Sequence, residues 1–294
     1  IPRSGAQFSF LMITVETATS LREQIARLRQ GGKRVAFVPT MGNLHSGHLR
    51  LMQEARHHAQ MVVASIYVNP LQFGQNEDFD AYPRTPGHDK VALISAGVDL
   101  LFKPAESEVY PRGRAAQTFV EVPGLSDDLC GAFRPRHFHG VTTVVHRLFN
   151  LVIPDVALFG KKDYQQWQII RLMVADLGLP VEIVGVETVR EPDGLAMSSR
   201  NNYLTAAERK TAPRLYGALC ALRDRLVQEG AVTSVAEESA ITQLKADGFR
   251  PDYVSVRCQD DLQKPGPDDR RLVALAAVWA GETRLIDNVE FELK

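Results

Sequence analysis

The sequence predicts an α/β fold: a doubly wound, Rossmann-like parallel sheet followed by a smaller C-terminal α+β domain. Three observations carry that reading. Between Met12 and Val189, short apolar runs alternate with stretches of helical period, the pattern of strands joined by crossover helices. Two of those runs, Val35-Ala36-Phe37-Val38 and Met61 to Val68, are apolar almost throughout, as strands covered on both faces are. After Glu191-Pro192-Asp193-Gly194 the alternation stops, and helices then strands follow in blocks. A length of 294 residues favours two domains over one. The expected division is residues 12–189 and 190–294, with the boundary between Val189 and Leu204. Residues 1–11, IPRSGAQFSFL, show no clear period and are expected to be a leader or a tag remnant.

In chain order, Ser20 to Arg29 carries Leu21, Ile25 and Leu28 at helical spacing, and Gly31-Gly32 ends that helix. Arg34 to Val38 reads as a strand and Leu49 to Ala59 as a helix. Met61 to Val68 is the long buried strand. Lys90 to Ser95 is helical, and Asp99 to Phe102 a short strand. Val141 to Leu151 is a helix, and Val156 to Phe159 a strand. Tyr164 to Leu177 is a helix closed by Gly178, and Val181 to Val189 a strand. Beyond the boundary, Thr205 and Glu208 form a capping box that opens a helix running to Gly230. A second helix covers Ser234 to Asp247. Strands follow at Tyr253–Cys258, Leu272–Ala280 and Thr283–Phe291, with Ala280-Gly281-Glu282 as a hairpin turn.

Composition narrows the function classes. A net charge of −1 supplies no global basic field, so neither nucleic acid nor an acidic membrane is an expected partner. The three cysteines (Cys130, Cys220, Cys258) form no CxxC pair, which points away from a zinc site or a disulfide framework and towards a reducing cytoplasm. No apolar run reaches the length of a membrane span.

In a doubly wound sheet, ligands sit at the carboxyl ends of the strands, and four polar clusters fall there. The first is PTMGNLHSGHLRLM, Pro39 to Met52. Gly42 and Gly47 allow a ligand close to the backbone, and the helix start offers unpaired N–H groups to phosphate. His45 and His48, three residues apart, project from one face of that turn. As neutral imidazoles they can donate to the oxygens of a departing pyrophosphate. A zinc half-site and an ordinary polar helix start compete with that reading. The second cluster is Asn69-Pro70-Leu71-Gln72-Phe73-Gly74, whose amides can orient a hydroxyl or carboxylate; turn chemistry alone also explains it. The third is Gly160-Lys161-Lys162-Asp163, with Gln166 four residues after Lys162; a solvated loop is the alternative. The fourth is Met197-Ser198-Ser199-Arg200, able to clamp a polyphosphate, with arginine giving two-pronged contacts.

Taken together, the clusters resemble a known family. An HxGH followed much later by a KMSKS-like segment marks the nucleotidylyltransferase superfamily. More narrowly, PTMGNLHSGH, YVNPLQFG, GKKDYQQ, REPDGLAMSSRNNYL and TRLIDN are similar to the motifs of the pantoate–β-alanine ligases. That resemblance implies a ligase using ATP as co-substrate. Pantoate and ATP form pantoyl adenylate and pyrophosphate, and β-alanine then displaces AMP to give pantothenate, a coenzyme A precursor. It implies Mg²⁺ held mainly by phosphate and water, with Asp89 as a candidate outer partner and no residue assigned as a metal ligand. It also implies a homodimer.

By the same resemblance, Met41, Gly42, Asn43, Leu44, His45, Ser46, Gly47 and His48 cradle ATP, with His48 as the catalytic histidine. Gly160, Lys161, Lys162 and Asp163 are expected at the nucleotide, with Lys162 rather than Lys161 reaching the phosphates. Gln72 is expected to touch both acceptor substrates, with Asn69 beside it, and Gln166 to bind pantoate. Val189 meets the adenine through its backbone, and Met197, Ser198, Ser199 and Arg200 close over the triphosphate. His45, His48, Lys162 and Arg200 form the catalytic set. Two departures stand out: Arg136 occupies a glycine position in Arg134-Pro135-Arg136-His137-Phe138-His139-Gly140-Val141, and Ala196 precedes Met197 where the superfamily has lysine. Arg200 must then supply the positive charge. A related nucleotide adenylyltransferase and a non-catalytic ATP sensor are the competing readings. The first needs a further basic pocket, and the second needs no leaving-group donors.

Overall fold

The computed structural model describes residues 12–75 and 77–294; the expected leader, residues 1–11, lies outside the described residues. A six-stranded parallel sheet holds β1 (Ile13–Val15), β2 (Val35–Thr40), β3 (Met61–Ile66), β4 (Leu100–Phe102), β5 (Val156–Gly160) and β6 (Glu182–Val186), in the order β1-β4-β3-β2-β5-β6. The helices between them are α1 (Ala18–Leu28), α2 (Ser46–His58), α3 (Pro86–Ser95), the single turns α4 (Glu106–Val109) and α5 (Cys130–Phe133), α6 (His137–Val152) and α7 (Tyr164–Asp176).

The alternation of strand side chains explains why β2 is apolar throughout. Val35 and Phe37 enter one core with Leu21 and Ile25 of α1, Val144 and Leu148 of α6, and Ile169 of α7. Ala36 and Val38 enter a second core on the opposite face with Met52 and Ala55 of α2 and Leu93 of α3. Helices on both faces are the expected doubly wound arrangement.

After the linker come α8 (Ala206–Thr211), α9 (Arg214–Glu229), α10 (Thr233–Ala246) and an antiparallel sheet of β7 (Arg250–Cys258), β8 (Arg271–Ala280) and β9 (Thr283–Glu292). Strand β8 is shared between two cores. Leu272, Ala274 and Ala276 pack with Leu219 and Leu222 of α9 and Leu244 of α10, whereas Val273 and Leu275 join the core under the parallel sheet. The second sheet is therefore fastened to the first layer by its opposite face.

Three expectations are corrected. The helix read from Thr205 to Gly230 is two helices, because Pro213 lacks the N–H that would continue α8. Its capping box is real: Thr205 and Glu208 bond each other's backbone N–H at 3.3 and 2.8 Å. The helix expected from Val141 begins at His137, and the strand expected over Val181–Val189 covers only Glu182–Val186. The three-residue β1 carried too little period to be read; it pairs with β4 at the sheet edge.

Candidate active site

Strand order reverses between β2 and β5, and at such a switch point the loops diverge and leave a crevice. A cleft of about 240 Å³ opens there, lined by His45, His48, Asn69, Gln72, Lys162, Gln166, Val189, Ser198 and Arg200, among others.

The loop after β2 is shaped from below. Gly42 adopts φ +81°, and an added Cβ would stand 3.1 Å from both Asp89 Oδ2 and Ile66 Cγ2, so glycine is required. The buried Asp89 carboxylate accepts from Asn43 N at 3.0 Å, Leu44 N at 2.8 Å and Thr85 Oγ1 at 3.0 Å. Asp89 is thus committed to shaping the loop. His45 caps α2. Its Nδ1 accepts from Gly47 N at 3.2 Å, and His48 Nδ1 accepts from His45 N at 3.3 Å.

Those two bonds settle the chemistry of the imidazoles. A ring nitrogen that accepts carries no proton, so each neutral ring bears its hydrogen on Nε2. Neutrality follows from the surroundings. Burial, then the neighbouring His48 and Lys162, pulls the His45 pKa from 6.5 to about 3. Burial and Lys162 pull that of His48 to about 4. At neutral pH both are donors without charge, with ring centroids 4.1 Å apart.

The loop after β3 works as a bracket. All four hydrogen-bonding sites of the buried Asn69 amide are filled: Nδ2 by Gln72 Oε1 and Gly140 O, Oδ1 by Leu71 N and the Tyr110 hydroxyl. Through its bond to Gln72 Oε1 it holds Gln72, whose Nε2 lies 3.0 Å from Met41 Sδ. Gly140 lets α6 press on this loop, since a Cβ there would come within 2.1 Å of Leu71 O. His137 Nδ1 donates to Gln72 O at 2.8 Å, and Arg134 donates to His137 Nε2 at 3.0 Å. Burial and then Arg134 pull the His137 pKa down to about 3.

The two lysines after β5 part ways. Lys161 Nζ is held by Glu187 at 2.6 Å and Glu290 at 2.7 Å, beside the Trp167 ring. Two carboxylates already neutralise it, and Lys161 itself is not part of the cleft lining. Lys162 lines the cleft, and its nearest ion pair is a loose 4.0 Å approach to Asp163. Gly160, Asp163 and Gln166 line the same wall.

The linker closes the other side. Met197 N donates to Val189 O at 3.0 Å, so that carbonyl already has a partner. Ser46 Oγ contacts Met197 Sδ, and Ser199 Oγ donates to Asn43 O at 3.2 Å. Ser198 caps the turn Ser199–Tyr203 through Arg200 N. Arg200 is not a free charge: it forks onto Asp78, with bonds of 2.9 and 3.2 Å. Arg134 forks onto Glu77 in the same way, at 2.7 and 2.5 Å. Burial pushes both carboxyls up, but their arginines outweigh it and hold Glu77 and Asp78 below the ordinary value.

Sequence reasoning missed Glu77, Asp78 and the arginine forks. The acidic run Glu77-Asp78-Phe79-Asp80 was their only local signal. Arg136 does adopt φ +67°, the left-handed conformation its glycine-like position demanded.

Fold and site together define a nucleotide-binding α/β enzyme whose cleft gathers the imidazoles of His45 and His48 and the ammonium of Lys162. The chain belongs to the pantoate–β-alanine ligase family, whose model matches residues 13–290. It is 57% identical over 284 residues to the pantothenate synthetase of Shewanella amazonensis, covering 95% of this chain and 99% of that one. Identity to the pantothenate synthetase of Thioalkalivibrio sulfidiphilus is 56%, over 96% and 99% of the two chains. The pantothenate synthetase crystal structure from Thermus thermophilus superposes with a TM-score of 0.88 at 48% identity, over 95% of this chain and 99% of that one. The Francisella tularensis ligase, complexed with β-γ ATP and β-alanine, superposes with a TM-score of 0.80 at 31% identity, over 95% and 97%.

Proposed function

We propose that this cleft condenses pantoate with β-alanine, using ATP, through pantoyl adenylate, and that the residues gathered above do the work. A pantoate carboxylate oxygen attacks the α-phosphorus, and pyrophosphate leaves. The single observation that carries the mechanism is the histidine pair: two uncharged Nε2–H donors held by a capping box beside Lys162. As charge grows on the leaving group, preorganised donors stabilise the transition state more than the ground state. Lys162 adds a full positive charge there. Gln72 and Gln166 orient the pantoate, and Ser198 and Arg200 cover the phosphates once Arg200 exchanges Asp78 for a phosphate oxygen. The adenine lies against the Val189 backbone. The amine of β-alanine then attacks the acyl carbon, and AMP leaves with the bridging oxygen.

Mg²⁺ is proposed to arrive with the nucleotide and, when bound, neutralises phosphate charge. Among the described residues no group of three or more His, Cys, Asp or Glu forms a metal cage. Glu77 and Asp78 are taken by arginines and Asp89 by amides, so the donor set fits a cation carried by phosphate and water. Two domains, residues 12–189 and 190–294, are proposed from the separate core of α9, α10 and the second sheet. A homodimer is proposed from the family resemblance, and a reducing cytoplasm from the unpaired cysteines.

The test is an isotope trace. Pantoate carrying heavy oxygen in its carboxylate should yield AMP with one label and none in pyrophosphate. ATP and pantoate alone should support exchange of labelled pyrophosphate into ATP. Label in inorganic phosphate, with release of ADP, would overturn the adenylate route.

A further inference from the structure

The motif TRLIDN, Thr283 to Asn288, is on β9, in the second sheet, and the mechanism above assigns it nothing. Its last residue reaches the first sheet. Asn288 Nδ2 donates to Lys161 O at 2.8 Å and to Lys162 O at 3.0 Å, and Asn288 is buried. Both bonds fall on the short turn Lys161–Asp163 that presents Lys162 to the cleft. A carboxamide with its two amide hydrogens can satisfy two adjacent carbonyls at once, whereas a hydroxyl cannot. Asn288 is itself held: its N–H donates to Asp287 Oδ1 at 2.8 Å, and its carbonyl accepts from Arg190 at 3.2 Å. Arg190 also forks onto Asp287, at 2.6 and 2.9 Å. The other end of the turn is tied to the same strand, through Glu290 to Lys161 and to the Tyr164 hydroxyl.

We propose that Asn288 is a positioning residue for the reaction: it fixes the backbone of the lysine turn and so sets where the Lys162 ammonium meets the leaving pyrophosphate. Strand β5 ends at Gly160, so the turn lies beyond the ladder of the first sheet. Without Asn288, two part-buried carbonyls lose its donors and the turn relaxes. An ångström of displacement at a reacting charge costs on the order of 10²-fold in rate. The inference rests on the Lys162 reading above, and the experiment separates the two.

Pyrophosphate exchange with ATP and pantoate is measured for Lys162→Ala, Asn288→Asp, Asn288→Thr and the double variant Lys162→Ala/Asn288→Asp, alongside attack of β-alanine on supplied pantoyl adenylate. Asparagine to aspartate keeps the shape and removes both donors; threonine suits a strand and serves if the aspartate variant does not fold. The expected result is exchange lowered about 10- to 100-fold by either Asn288 variant, with the second half-reaction within about threefold of wild type. The double variant should be no slower than Lys162→Ala alone, as for residues that act as one unit. Wild-type exchange in a folded Asn288 variant would overturn the proposal. So would equal losses in both half-reactions, or multiplied losses in the double variant. If Lys162→Ala itself exchanges normally, the lysine assignment fails instead.

Discussion

Two strand-end turns carry the donors proposed for the leaving group, and they are built differently. The histidine turn after β2 is braced from within its own layer: Asp89 of α3 holds its amides, and His45 and His48 cap each other. The lysine turn after β5 is braced from outside, by Asn288 and Glu290 of β9. Half of the machinery is thus held within the layer of the parallel sheet, and the other half by the second sheet.

The largest expected effect tests the self-braced turn. His48→Ala should lower pyrophosphate exchange by about 10²–10³, the usual loss for one transition-state donor, while ATP affinity changes little. Near-full turnover in that variant breaks the assignment.

A pH series sharpens the same turn. His45, His48 and His137 are held neutral when folded, at pKa values of about 3, 4 and 3, against 6.5 when exposed. Between those values the unfolded chain binds more protons, so stability rises with pH there. Resistance to urea should be level above about pH 7 with respect to these groups and fall from pH 6.5 towards pH 4. His48→Ala should make that fall shallower. A slope unchanged by the substitution would show that His48 is not buried and neutral.

Arg136→Gly probes the loop next to the Gln72 bracket. A non-glycine residue at φ +67° carries a strain of about 1 kcal/mol or more, so the glycine variant should gain roughly that in chemical denaturation. Exchange should not change, because Arg136 is exposed and its nearest aromatic contact is the Phe119 ring at 6.0 Å. Destabilisation would mean that its contact with Phe119 outweighs the strain.

Lys161→Ala closes the series. Its charge is already paired with Glu187 and Glu290, and without it the turn keeps both Asn288 bonds and the Glu290 bond to the Tyr164 hydroxyl, so turnover should stay within about threefold of wild type. A loss equal to that of Lys162→Ala would erase the distinction between the two lysines.

The alternation of apolar runs with helical period determined by itself the doubly wound sheet, and therefore the strand ends where a ligand must sit. Glycines at 42 and 47 and histidines at 45 and 48 were legible for the same reason: each lies within a few residues of a strand end, so local spacing carries their geometry. Lys162 was told from Lys161 only by the family resemblance. The capping box at Thr205 was equally local. Other features depended on groups far apart in the chain. Which lysine faces the cleft is decided by Glu290 and Asn288, more than 120 residues away. Asp89 reads as a free acid until Asn43 and Leu44 N–H groups, 46 and 45 residues upstream, are found bonded to its oxygens. Arg200 reads as a spare charge until Asp78, 122 residues away, is seen to neutralise it. A sequence shows that a side chain can donate or accept. Only the folded chain brings together the partner that takes up that capacity, and what remains free in the cleft is the chemistry.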